Sequence, residues 1–109
     1  MAEFIGVSDL NMASAYYACV FDAQVDGPVA KADALKMRIG SRDYSLIRGE
    51  KAVIDDVAHC AVVDDVDLSV ARVVTRGGTI ITHPDTAADG HREGLVKDPF
   101  GHSWVVSSR

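Results

Sequence analysis

Four histidines and two cysteines, with a few tyrosine and arginine side chains, carry most of the chemistry open to this 109-residue chain. Their spacing excludes more than it supports. Cys19 and Cys60 make no paired zinc-cysteine pattern, and neither has an identifiable basic neighbour to activate it as a thiolate. Both stand at apolar positions, where buried free thiols in a reducing compartment are expected, and hence a cytoplasmic protein. A phosphate loop and a nucleophile elbow are both absent. His83, Asp85, Asp89, His91 and Glu93 crowd one stretch, but nothing in the sequence holds them at metal-ligand spacing. They are expected to shape a pocket mouth or to be solvated. His59 and Tyr44 offer acid–base groups that a bound substrate would have to orient. His102 ends the turn Asp98-Pro99-Phe100-Gly101-His102, where packing or hydrogen bonding is its expected work.

The elements that position these residues are written twice. Phe4 to Val25 lies on His59 to Ile80 without a gap, at an offset of 55 (59 − 4). Met37 to Ile47 lies on Val96 to Val106 at an offset of 59 (105 − 46). The match is one of pattern, and it predicts two similar modules that can enclose one cavity.

Each module reads as β-α-β-β-β. Phe4 to Val7 is a strand, and Asp9 or Asn11 caps the helix after it. Met12, Ala15, Tyr16, Cys19 and Val20 fall at helical spacing as its apolar stripe, and the helix stops near Asp22. Gln24 to Val29 is the second strand. Ala32 to Ile39 and Asp43 to Arg48 form a hairpin turned by Gly40-Ser41-Arg42. Gly49 to Asp56 is the linker. In the second module Val57 to Val63 is a strand, and Asp64, Asp65 and Asp67 crowd the positive end of the next helix. Val66, Val70, Val73 and Val74 form its stripe, and Gly77-Gly78 stops it. Thr79 to Thr82 is a strand and His83 to Gly90 a loop. Gly94 to Lys97 and His102 to Ser107 make the last hairpin.

Composition bounds the function. Hydrophobic residues make up 48% and charged residues 25%, a balance that suits one domain with a modest core. The formal net charge of −5 argues against nucleic acid as a partner. No apolar run is long enough to span a membrane, and Met1-Ala2-Glu3 lacks the start of a signal peptide.

Paired β-α-β-β-β modules resemble the vicinal oxygen chelate superfamily, which includes glyoxalase I, bleomycin-binding proteins and extradiol dioxygenases. His59 to Asp67 looks like the first strand and helix start of a second module, and Leu95 to Val106 like its last hairpin. The Asp98-to-His102 wording is closest to the subgroup called PhnB-like. The resemblance implies an α+β fold in which the two modules, about residues 1–50 and 55–109, form an open barrel-like trough within a single domain, helices on the outer face. It implies metal ligands, in members that use them, on the first and last strands of both modules. With the offsets above, these places are Phe4, Leu46, His59 and Val105. Only His59 is a donor, so neither metal nor other cofactor is expected.

Strand alternation then gives a ligand-binding lining of Phe4, Gly6, Tyr44, Leu46, Arg48, His59, Ala61, Ser103 and Val105, with Ser107 at its end. Trp104 is expected in the core; a one-residue slip would make it a stacking wall. The function implied is metal-independent binding of a small organic molecule, an antibiotic or hydrophobic metabolite, by a homodimer. The alternative is a lyase, isomerase or dioxygenase of the same superfamily with an atypical or cross-chain metal site.

Overall fold

The computed structural model describes residues 3–26, 34–49 and 58–108. The chain divides into two units, Met1–Ile54 and Asp55–Arg109. The expected linker and the Gly27-Pro28 bend lie largely outside the described residues.

In the first unit, β1 (Glu3–Val7) leads into α1 (Leu10–Phe21), followed by β2 (Gln24–Asp26), β3 (Ala34–Ile39) and β4 (Arg42–Arg48). The sheet order is β1-β4-β3-β2. β1 runs parallel to β4, and β3 is antiparallel to β4 and β2. Asp9 starts the helix, its carboxylate accepting the Met12 N–H at 3.1 Å. Asp22 ends it in the left-handed region at φ 55, a place that Asp tolerates better than most side chains.

The buried stripe of α1 is Leu10, Ala13, Ser14, Tyr16, Tyr17, Val20 and Phe21. This corrects the expected stripe: Met12 is 63% exposed, and Ala15 faces solvent. Tyr17 and Phe21, buried at 0% and 2% exposure, turn inward with Tyr16. The Tyr17 and Phe21 rings stack with centroids 6.1 Å apart.

The second unit repeats the order with β5 (His59–Val63), α2 (Val66–Thr75), β6 (Thr79–Thr86), β7 (Arg92–Lys97) and β8 (Ser103–Ser108). Its sheet runs β5-β8-β7-β6, with β5 parallel to β8. Asp65 is the cap, accepting the Leu68 N–H at 3.1 Å. Val66, Ser69, Val70 and Val73 are buried, whereas Val74 is 45% exposed, so the stripe is rotated from the expected one, Ser69 taking the place of Val74. β6 continues through His83-Pro84 to Thr86, which shortens the expected loop. β6 is an edge strand, where proline is tolerated.

Together these are two four-stranded mixed sheets, each with one helix, in an α+β fold. Among the described residues no helix is long and apolar enough to cross a membrane.

Three carboxylates hold exposed ties. Arg38 donates Nε to Asp43 at 2.9 Å. Arg92 grips Asp67 with two bonds, at 2.8 and 2.9 Å. Asp89 accepts the His91 backbone N–H at 2.9 Å, and its second oxygen lies 3.1 Å from the imidazole Nδ1. Each carboxyl is held below the usual range, chiefly by these hydrogen bonds.

Leu46 and Tyr44 lie in the core at 0% and 1% exposure, whereas Phe4 is 68% exposed. Leu46→Ala and Tyr44→Ala should each cost about 2–5 kcal/mol in urea unfolding followed by circular dichroism, and Phe4→Ala less than about 0.5 kcal/mol. A large loss at Phe4 would contradict this packing. The depressed carboxyls also set a pH dependence. Because the folded chain holds these protons less tightly than the unfolded one, their contribution is complete above about pH 4 and lost as pH falls through the folded values. The melting temperature should drop on acidification below about pH 4, and less steeply in Asp67→Asn.

Candidate functional site

The last strand of each module is aimed by its hairpin turn. In the first unit two residues, Gly40-Ser41, join the paired Ile39 and Arg42, and Gly40 takes φ 61. In the second unit Asp98 N–H donates to the His102 carbonyl at 2.8 Å, leaving three residues between them. The buried Asp98 carboxylate organises that turn. One oxygen accepts the Phe100 and His102 N–H groups at 3.0 and 2.9 Å, and the other accepts Trp104 Nε1 at 2.9 Å. A carboxylate taking three N–H donors is a strong, directional anchor.

The extra turn residue shifts the repeat. The buried pair Met37–Tyr44 of the first sheet corresponds to Val96–Trp104 of the second. β3 and β7 are therefore related by 59 (96 − 37), but β4 and β8 by 60 (104 − 44). The helix caps Asp9 and Asp65 likewise give 56 (65 − 9) for the first strands. The gapless offset of 55 is therefore one residue short for the first strands, and that of 59 holds for β3 and β7 but is one residue short for β4 and β8. In a strand a one-residue slip exchanges the two faces.

The predicted lining accordingly divides. Ile5 pairs with Leu46 in the first core, and Tyr44 lies on the same face. Arg48 shares that alternation but is exposed at the strand end. His59 pairs with Trp104, and Ala61 with Val106. The His59 ring lies 5.1 Å from the Trp104 ring and 5.8 Å from that of His102. Tyr44, Leu46, His59 and Ala61 thus belong to the core face of their sheets, contrary to the expected alternation. Trp104 is fully buried, as expected. Phe4, Gly6, Ser103 and Val105 stand on the opposite faces, together with Ser107.

On those open faces the first and last strands bring Phe4 against Ser45 and Cys60 against Val105. These pairs include Phe4 and Val105 of the expected ligand places, whereas Leu46 and His59 lie on the core faces of their sheets. One hydroxyl and one thiol are their only side-chain donors, whereas a catalytic divalent site takes about three protein ligands. Among the described residues no three His, Cys, Asp or Glu side chains gather in a metal-binding group. The described residues do not fit the metal that the resemblance implies.

Each sheet carries a cleft. That on the first sheet, about 570 Å3, is lined by charged side chains in part self-compensated, including Lys36, Arg38 and Asp43. That on the second, about 400 Å3, has Leu95, Gly94 and Val105 on β7 and β8, with Thr82, His83, Asp85 and Thr86 from β6. Glu93 also lines it, and Val105 is the one residue of the predicted lining that it includes. His83, Asp85 and Glu93 thus come from the stretch expected to shape a pocket mouth. Apolar floor and polar wall together suit a small amphipathic molecule. The sequence missed Leu95, because its exposure depends on the corrected register.

Comparison with known proteins agrees with this architecture. An uncharacterized protein of Mycobacterium bovis is 31% identical over 122 residues, spanning 97% of this chain and 80% of its own. The fold is shared with a glyoxalase/bleomycin resistance protein/dioxygenase family enzyme from Burkholderia phytofirmans PsJN, at TM-score 0.76 and 18% identity, covering 96% of this chain and 94% of that one. It is shared too with lactoylglutathione lyase from Agrobacterium tumefaciens, at TM-score 0.69 and 19% identity, covering 99% and 91%. The model of the Glyoxalase/Bleomycin resistance protein/Dioxygenase superfamily matches residues 2–106, and the chain belongs to that superfamily.

Proposed function

We propose that this chain is a metal-independent small-molecule binding protein of its superfamily, which sequesters an antibiotic or another hydrophobic metabolite in the cytoplasm, as a homodimer. The observation that carries the reading is the donor-poor open face: Phe4 with Ser45 on one sheet, Cys60 with Val105 on the other. Phe4 at 68% exposure and Ile47 at 36% present apolar surface on the first sheet. Leu95 and Val105 do so beside the cleft of the second. Burial of such surface against a ligand contributes about 25 cal/mol per Å2. The polar groups of the cleft wall then fix orientation rather than supply most of the affinity.

Two experiments test this. The purified protein is incubated with Ni, Mn, Fe and Zn, desalted and subjected to elemental analysis, with Cys60→Ser and His59→Ala as controls. The expected result is no stoichiometric metal in any of the three. About one tightly held metal per chain, lost in either control, would overturn metal independence and favour a lyase, isomerase or dioxygenase. In parallel, aromatic and amphipathic compounds are screened by thermal shift. Phe4→Asp should weaken any hit that binds the first sheet by about tenfold or more while leaving the ligand-free melting temperature within a few degrees. Unchanged affinity of every hit would remove Phe4 from the site.

A further inference from the structure

β6 does not pair evenly with β7. The ladder runs through Thr79↔Lys97 and Ile80↔Val96, shifts before Thr82↔Leu95, and shifts again before Asp85↔Glu93 and Thr86↔Arg92. His83 and Pro84 lie in the second irregularity, where proline's missing N–H breaks no ladder bond. Gly94 leaves room for them. A Cβ there would stand 3.2 Å from the Pro84 ring and from the Thr82 carbonyl oxygen. The irregularity separates an inner stretch of the hairpin from an outer one, residues 85–92.

The outer stretch closes on itself through Ala87 N–H to the His91 carbonyl at 2.7 Å and Gly90 N–H to the Ala87 carbonyl at 2.9 Å. Arg92 ties it to the rest of the unit. Its backbone N–H donates to Ser108 Oγ at 3.0 Å, and its guanidinium grips Asp67 in the first turn of α2. The remaining arm of the fork donates to Thr86 Oγ1 at 3.1 Å, across the hairpin. Asp85, Thr86 and Ala87 are the outer wall of the second cleft. One residue therefore joins helix, strand and cleft wall, its backbone N–H reaching the strand and its guanidinium the helix and the wall. The planar fork of arginine can do this, whereas the single ammonium of lysine cannot.

We infer that Arg92 is a positioning residue: paired with Asp67, it latches the 85–92 hairpin as the hinged outer wall of the second-sheet cleft and so sets how widely that cleft opens to its ligand. The last clause rests on the reading of this cleft as a binding site; the latch itself does not. An exposed ion pair of this kind is weak enough to open locally and is sensitive to salt.

The test is amide hydrogen exchange on the full chain, wild type against Arg92→Met, Asp67→Asn and the double variant, with Nile red as a neutral fluorescent probe. In each single variant the 85–92 amides should exchange about two- to five-fold faster, while those of β8 and the melting temperature stay near wild type. The double variant should add nothing further. Raising NaCl from about 0.05 to about 1 M should reproduce the effect in wild type and not in the variants. The dissociation rate of Nile red should rise by a similar factor. Unchanged exchange at 85–92, a uniform rise across the unit, or additive single effects would overturn the latch. The exchange pattern without any dye binding to wild type would keep the latch and refute the cleft as a binding site.

Discussion

The parallel pairing of the first strand of each module with its last is the constraint on which everything else depends. β1 on β4 and β5 on β8 fix which side chains lie under the helix and which stand on the open face. Because successive residues of a strand point to opposite sides, this register has only two outcomes for each position. The core selects one. Ile5, Val7, Leu46 and Tyr44 in the first unit, and Ala61, Val63, Trp104 and Val106 in the second, are each at most 4% exposed. Turning either set outward would expose large apolar surface at about 1.5–3 kcal/mol for each large side chain.

The two modules reach the same topology with different turns. A glycine-led two-residue turn suffices in the first. The second uses a longer one organised around a buried carboxylate. Burying Asp98 is tolerable because its oxygens take three N–H donors, one of them the indole of Trp104. That bond links the turn to the core and orients the only tryptophan of the chain. The His59 ring lies 5.1 Å from that indole and 5.8 Å from the His102 ring.

The open faces differ in character. The first sheet offers Phe4 and Ile47 beside a strip of alternating charges, where Arg38 and Asp43 already satisfy each other. The second has a smaller cleft with an apolar floor and a wall from a bent edge strand. The bend depends on Pro84 meeting a residue without a side chain at Gly94. An edge strand interrupted in this way resists pairing with another chain, and it leaves the outer hairpin dependent on a few side-chain bonds.

Much of this was legible in the sequence. The doubled β-α-β-β-β order, the acidic helix starts and the glycine-led hairpin follow from periodicity and caps, which are local properties of the chain, and the superfamily was suggested by resemblance, through His59 to Asp67 and Leu95 to Val106. Trp104 in the core followed as well, from alternation along its own strand. Which residues share a face was decided by tertiary structure. The gapless repeat related Phe4 to His59 and Leu46 to Val105, whereas the folded chain relates Phe4 to Cys60 and Ser45 to Val105. One extra residue in a turn moves a whole strand by one place, and a strand's period of two converts that single step into an exchange of core and surface. The helix stripes rotated for a related reason. Several phases of an apolar helix satisfy the pattern, and only packing of Tyr17, Phe21 and Val73 against their sheets selects one.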